Sequence, residues 1–590
     1  MTAADNLIES SLLGRRWAVR RADDALVRDL THVAGVNDAL ARILAMRGVG
    51  ADQAENFLRP TLRALMPDPS VFIDMDRAAA RIVKALNDRE TIAVFGDYDV
   101  DGGTSSAVLK RFFRALGVEV VTYIPDRAKE GYGPNTPALL KLAADGAKIV
   151  ITVDCGITAH EPLAAARAAG LEVIVVDHHK AEPRLPPAAA IVNPNRLDDT
   201  SGQGQLAAVG VTFMLVVAVN RALRAAGWFA KSGVPEPDLR QWLDLVALGT
   251  VADVVPLTGI NRALVVQGLQ VLGRGDNIGL QALLKTARVD TAPGAYHLGF
   301  ILGPRVNAGG RIGEPDLGVR LLTTLDAGEA AVLALRLDDL NRTRQEIEAQ
   351  VLGEAIEQVE AAGRDDDPVI VAAGQRWHPG VIGIVASRLK ERYGKPCCVV
   401  AIDGGMAKGS GRSIAGIDLG RAVLAAREAG LLVNGGGHPM AAGFTVDESK
   451  LAAFTDFLRV EVIKSMAAPS VPVSLLDGVL AVHGVTAEMA EGLQALGPFG
   501  SGNDEPRFAV MDTSIVRADV VGSGHVRCIF SGRGGGRMKG IAFRSADSEL
   551  GHGLLNAKGR AVHIAGFVRP DHWQGRRDVQ VVIEDAAFAA

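Results

Sequence analysis

Val173-Ile174-Val175-Val176-Asp177-His178-His179 places a carboxylate and two imidazoles directly after an uninterrupted apolar run. A run of this kind reads as a strand buried on both faces. The same pattern occurs twice upstream. Thr91-Ile92-Ala93-Val94-Phe95 leads into Gly96-Asp97-Tyr98-Asp99-Val100-Asp101-Gly102, and Ile149-Val150-Ile151-Thr152-Val153 leads into Asp154. Between residues 71 and 195 such runs alternate with amphipathic stretches, which predicts βαβ units and a mainly parallel sheet covered by helices. In sheets of this type ligands gather at the carboxyl ends of the strands, where all three acidic clusters fall.

The outer parts of the chain are read outward from this centre. Residues 1–65 read as an N-terminal helical extension and 66–325 as the domain carrying the acidic clusters. Asp326, with Glu329 three residues on, offers a capping box for a long connecting helix over 326–364. A second α/β domain is expected over 365–465, with glycine loops Gly409-Ser410-Gly411-Arg412 and Gly435-Gly436-Gly437-His438. From 466 to 590 short β-like runs alternate with glycine-rich turns, as in a small OB-like barrel. The expected class is therefore multidomain α/β with a C-terminal β-barrel.

The balance of 63 Lys plus Arg against 68 Asp plus Glu is slightly acidic, so a nucleic acid would need a localised basic groove. Cys155, Cys397, Cys398 and Cys528 form neither a disulfide framework nor a spaced zinc set, which fits a reducing compartment. No basic-then-apolar leader is visible, and the apolar stretch 206–219 falls short of the roughly 20 residues of a membrane span. A cytoplasmic protein without a membrane partner is expected.

The donors assembled at the strand ends are Asp97, Asp99, Asp101, Asp154, Asp177, His178 and His179. Asp253 joins them from a separate apolar context, Ala252-Asp253-Val254-Val255-Pro256. Carboxylates with imidazole suit Mg²⁺ or Mn²⁺, and two such ions ~3.5–4 Å apart can clamp both oxygens of a phosphodiester displacement. If the chain stays extended, Asp97, Asp99 and Asp101 share one side, and a turn at Gly102-Gly103 aims the last two inward. Each acid alone could equally be a helix cap.

In order and spacing, GDYDVDG, VDCG, DHH and ADVVPL resemble the four motifs of the DHH phosphoesterase superfamily. The segments 303–311, 377–388, 436–443 and 496–503 extend the resemblance over nearly the whole chain, toward a bacterial branch that degrades single-stranded DNA from the 5′ end in repair and recombination. It implies a DHH catalytic domain, a DHHA1-type second domain and an OB-type barrel. It further implies Asp99, Asp101, Asp154, His178 and Asp253 as metal ligands, Asp97 and Asp177 as ligands or orienters, and His179 facing the scissile phosphate. The cofactors would be two divalent ions, Mn²⁺ or Mg²⁺. The partners would be single-stranded DNA, a single-strand-binding protein and a helicase.

Ser410 and Arg412 would then hold the 5′-terminal phosphate. Arg127 is a second phosphate candidate, and Tyr132 could stack a terminal base. Arg305 and Arg311 read as strand-backbone contacts, and His378 and His438 as further phosphate contacts. In the barrel, Phe530 and Phe543 are expected in the core and Trp573 is the stacking candidate. A phosphoesterase for small substrates, or a scaffold on an inactive DHH fold, are the competing classes. The barrel and connector argue against the first, and the intact acids and histidines against the second.

Overall fold

The computed structural model describes residues 4–127, 129–466, 471–571 and 577–589. Its central sheet has five parallel strands in the order Val121–Tyr123, Ile92–Gly96, Ile149–Val153, Glu172–Val176, Ala190–Val192. Alternate residues feed two different cores. Val94, Ile151 and Ile174 pack on one face, and Phe95, Val150 and Val173 on the other. Burial on both faces explains why these strands carry almost no polar residues. Because the second strand in sequence lies outside the first, the strand order reverses between Ile92–Gly96 and Ile149–Val153, the position at which such sheets open a ligand crevice.

The helix Ala208–Ala225 is apolar enough by composition to cross a membrane, yet most of it is buried inside this domain. The connecting helix runs Ala327–Ala361, and the Asp326 side chain accepts the Glu329 N–H at 2.7 Å. Glu329 does not complete the capping box; its carboxylate takes the Thr324 hydroxyl. The second domain has a five-stranded sheet ordered Asn434–His438, Ala441–Asp447, Met406–Arg412, Cys397–Asp403, Ile370–Gln375. The last region closes a five-stranded barrel from Arg507–Val521, His525–Gly532, Arg537–Ala542, Asp578–Phe588 and Ala561–Asp571. A short strand, Gly478–Leu480, joins it at Arg507–Val521.

Three sequence expectations change here. Residues 1–65 are not wholly helical: they open with the hairpin Ala4–Ile8 and Arg16–Arg20, which takes Val473–Leu476 as a third strand. Nor do they stand apart, since Val27, Leu30 and Leu44 share one core with barrel residues such as Phe508 and Phe530. The glycine motifs of the second domain are strands, not loops. Met406–Arg412 is paired on both sides, so its glycines serve packing: a Cβ on Gly409 would sit 2.1 Å from the Phe444 ring. Finally, Phe530 is core as expected, but Phe543 is half exposed, with its ring edge-on to His525.

Candidate metal centre and interdomain cleft

The register of the parallel sheet sets the site. Gly96 pairs with Val153 and Val153 with Val176, which pairs with Val192. The next residue in each strand is Asp97, Asp154, Asp177 or Asn193, and the ladder continues through them. Asp97 N donates to Val153 O (3.2 Å), Asp154 N to Val176 O (3.0 Å) and Asp177 N to Val192 O (3.1 Å). One row of polar residues therefore closes the apolar sheet, its backbone fixed by the sheet itself. Asp97 and Asp154 flank the point where strand order reverses. Asp154 adopts φ 62, a left-handed conformation that Asp tolerates better than most residues.

Helices supply the remaining donors. Chain extension ends at Asp99, which caps the helix Val100–Ala115 by accepting from Asp101 N (3.0 Å) and Gly102 N (3.2 Å). Gly102-Gly103 form no turn. They lie in the first helical turns, where a Cβ on Gly102 would come within 2.7 Å of three Asp97 backbone atoms. The missing side chain lets the helix start against the sheet end. Asp101, almost fully buried, accepts from Ala208 N (2.6 Å) and Val209 N (2.8 Å), so it meets the N-terminus of the helix Ala208–Ala225. Asp253 ends the helix Leu243–Ala252.

His178 Nδ1 lies 3.1 Å from the Leu206 carbonyl, which fixes its proton there and leaves Nε2 with a free lone pair. That Nε2 faces Asp154 Oδ1 at 3.4 Å, Asp253 Oδ2 at 3.6 Å and Asp101 Oδ2 at 3.9 Å. The donors fall into overlapping groups: Asp101, His178 and Asp253; Asp97, Asp99 and Asp154; and Asp154, His178 and His179. Asp154 belongs to two of them. Asp97 Oδ1 and Asp154 Oδ1 are buried with no hydrogen-bond partner. Burial and neighbouring carboxylates push Asp97, Asp101 and Asp154 well above the ordinary carboxylate range, and Asp253 up to about 7. Unpartnered buried carboxylate oxygens around a free imidazole lone pair fit a divalent cation, which would supply the missing charge.

Asp177 has another task. Its Oδ1 accepts from His178 N (2.8 Å), His179 N (3.1 Å) and His179 Nδ1 (2.8 Å), and its Oδ2 from Ile157 N (3.0 Å). It stands outside the three donor groups and orients His179, not His178. Burial alone would lower the pKa of His179, but the hydrogen bond and charge of Asp177 outweigh it and raise it to about 9. The Tyr132 hydroxyl donates to the Asp154 carbonyl (3.1 Å), leaving an exposed ring edge-on to His179. Two residues escaped the sequence reading: Asn193 Nδ2 donates to His179 O (2.9 Å) and Asn195 Nδ2 to His178 O (2.5 Å). The available signal was Asn193 itself, a polar residue following a fourth apolar strand.

Beside this centre a cavity of ≈ 760 Å³ opens between the two α/β domains, lined by Arg127, Arg311, His378, Lys408, Ser410 and Arg412 among others. Its floor is the exposed face of the second sheet. Ser410, Gly443 and Gly436 form one cross-strand row, and Lys408, Thr445 and Asn434 the next. Arg412 Nη1 is 3.2 Å from Ser410 Oγ. The N-terminus of the helix Ile382–Tyr393, which has no side-chain cap, opens into the same space. Arg127, which lines the cavity, lies over the ring of Tyr98, 4.8 Å from its centre, so the residue between Asp97 and Asp99 backs a side chain of the cleft. Arg311 donates to Gly380 O (3.0 Å) across the seam. One acid, Asp126, lines the cavity and pairs with Lys129 (2.9 Å). A helix N-terminus, a hydroxyl and several guanidinium groups are the donors that suit an anion.

Other candidates lie elsewhere. Arg305 holds the connecting helix through Asp338 (2.9 Å) and donates to Ile301 O (2.8 Å), so it is not a free strand contact. His438 is exposed at the sheet edge and does not line the cavity, whereas His378 does. Much of the barrel's basic content is already paired: Lys539 with Asp578 (2.6 Å), Arg569 with Glu505 (2.5 Å) and Arg577 with Glu491. Trp573 and Arg576 lie outside the described residues.

A sheet-end acid and histidine cluster, a second α/β domain and a barrel define a multidomain DHH-type protein, and comparison with known proteins agrees. Family profiles match as the DHH family, N-terminal domain, over 91–250, the DHHA1 domain over 366–464 and the RecJ OB domain over 476–585. The single-stranded-DNA-specific exonuclease RecJ of Dickeya dadantii is 39% identical, over 92% of this chain and 95% of the relative. That of Escherichia coli is 37% identical over the same shares, and that of Bacillus subtilis 36% identical over 97% of this chain and 71% of its own. The crystal structure of Thermus thermophilus RecJ in complex with Mn²⁺ superposes with a TM-score of 0.80 at 32% identity, over 96% of this chain and 78% of that one. Its Mg²⁺ complex gives 0.75 at 30%, over 96% and 77%. The chain belongs to the RecJ family.

Proposed function

We propose that the protein is a single-stranded-DNA-specific exonuclease that works 5′ to 3′ and releases 5′-mononucleotides. Two divalent ions, Mn²⁺ or Mg²⁺, would be held by Asp97, Asp99 and Asp154 on one side and by Asp101, His178 and Asp253 on the other, with Asp154 between them. The observation that carries this reading is the pair of buried, unpartnered oxygens on Asp97 and Asp154 beside the free His178 Nε2. When bound, such ions activate a water and neutralise charge on the phosphoryl oxygens.

The chain's own residues do the rest. Asp177 keeps the His179 Nδ1 proton in place, so the imidazole can present its Nε2 proton toward a phosphate at the site. Arg412, Ser410 and the helix Ile382–Tyr393 hold the 5′-terminal phosphate in the cleft, while Arg127 and Arg311 meet charge nearer the metal donors. Capture of that end leaves the first phosphodiester at the metal centre, which sets both polarity and product size. We place the enzyme in the cytoplasm, where its four buried free cysteines stay reduced, with a helicase and a single-strand-binding protein as partners that supply its substrate.

Oligonucleotides labelled at either end and incubated with Mn²⁺ or Mg²⁺ test the reading. Early release of label from the 5′ end of single strands, with duplex spared, is expected. Release from the 3′ end, or equal attack on duplex, would overturn it.

A further inference from the structure

Asp253 is the one donor of its set that neither ends a central strand nor starts a helix. It ends the helix Leu243–Ala252, and the chain leaves it through Val254 at φ 61. The loop beyond Val254 is held by a segment more than 200 residues further along the chain, Ser501 among it. Leu257 N donates to Ser501 O at 2.7 Å. A Cβ on Gly500 would sit 2.8 Å from the end of the buried Leu257 side chain, so an alanine there would press Leu257 out of its place. The segment is itself locked. Asn503 Nδ2 donates to Leu496 O (2.9 Å) and Pro498 O (2.8 Å), and its Oδ1 accepts from Arg47 Nη1 (2.6 Å).

Arg262 closes the arrangement. It lies on the helix Gly259–Arg274, next in the chain after the Asp253 loop, and it is fully buried. Its Nε donates to Phe57 O (3.0 Å), Nη1 to Leu496 O (2.7 Å) and Nη2 to Ala495 O (3.2 Å). The guanidinium lies 4.3 Å from the Phe57 ring centre and makes no ion pair among the described residues. A buried charge satisfied by three carbonyls and a ring is costly to build and to disturb. It joins the N-terminal region, the catalytic domain and the approach to the barrel at one point, next to the loop that carries a metal donor.

We infer that Arg262 and residues 495–503 position Asp253, so that the affinity of the metal centre is set from outside the catalytic domain. This rests on the reading of Asp253 as a metal donor. Arg262 is a positioning residue, since it touches neither substrate nor reacting atoms.

Arg262→Gln, Arg262→Lys and Gly500→Ala in the full chain test the latch. Mn²⁺ binding is read by electron paramagnetic resonance, and hydrogen exchange is followed at the Leu257 amide in metal-free protein. The Gln and Ala variants should bind Mn²⁺ about tenfold more weakly, the usual scale for loss of a group that orients a ligand, and exchange Leu257 faster. The Lys variant should fall between them and the unaltered chain, and cleavage should recover at high Mn²⁺. Folded variants that bind Mn²⁺ like the unaltered chain would overturn the inference. Gly500→Ala keeps the test open if Arg262→Gln does not fold. An unaltered chain that binds no Mn²⁺ would overturn the metal reading itself, and the latch with it.

Discussion

The metal centre and the interdomain cleft lie side by side but are built in different ways. The acids of the first are fixed by backbone: Asp97 and Asp154, with Asp177 beside them to orient His179, extend the register of one parallel sheet, and Asp99 and Asp101 sit at helix starts. The cleft is formed by side chains rising from a sheet face and by arginines reaching across a seam, with Arg311 donating to Gly380. Metal chemistry demands geometry held to fractions of an ångström, which secondary structure supplies. Gripping a phosphate demands charge and donors, which long side chains supply with more tolerance. Substitutions in the centre should therefore act on the rate, and those in the cleft on substrate affinity.

The largest effect is expected from Asp154→Ala, which removes the carboxylate shared by two donor groups. Cleavage should fall by at least about a thousandfold, roughly 4 kcal/mol of transition-state stabilisation, while gel-shift binding of a single strand persists. Retained cleavage would break the comparison at its firmest point.

Asp177→Asn comes next, with a loss of about 10–100-fold. Its signature is the titration of His179, which NMR can follow in the metal-free protein. The Asp177 carboxylate favours the charged imidazole and holds its pKa at about 9, so His179 is protonated at pH 8. Without that carboxylate, burial favours the neutral form and only the charges of Asp253 and Asp97 oppose it, so the pKa should fall below that of the unaltered chain.

In the cleft, Arg412→Ala should raise KM for a 5′-phosphorylated strand about tenfold, the weight of one charge-assisted hydrogen bond. Its kcat should be nearly unchanged, and the preference for 5′-phosphate over 5′-hydroxyl should shrink. The smallest effect belongs to Arg305→Ala. Arg305 is occupied by Asp338, so KM should not move, and thermal unfolding should report a loss of about 1 kcal/mol.

Legibility in the sequence divides along the same line. Asp97, Asp154, Asp177 and His178 were visible because each follows an apolar strand, and a parallel sheet must bring its strand ends together. Asp101 capping Ala208–Ala225, Leu206 fixing the His178 tautomer and Asp177 serving His179 were not, since each depends on contacts between distant segments. Gly409 and Gly411 suggest a loop in the sequence, because glycine marks turns locally, but they lie in a paired strand. Their alternation with Lys408, Ser410 and Arg412 is a strand pattern, and it takes its meaning from Phe444 beneath Gly409 and Leu419 beneath Gly411. The role of Arg305 was equally hidden, because a basic residue in a helix does not announce the Asp338 it meets.

The central claim is that the cleft holds the 5′ end so that the metal centre meets the first phosphodiester. The direct test is the size of the first labelled product from a 5′-phosphorylated, 5′-labelled single strand cut in Mn²⁺ under single-turnover conditions. A labelled mononucleotide from the first cut is predicted. Labelled fragments of two or more nucleotides would contradict the account.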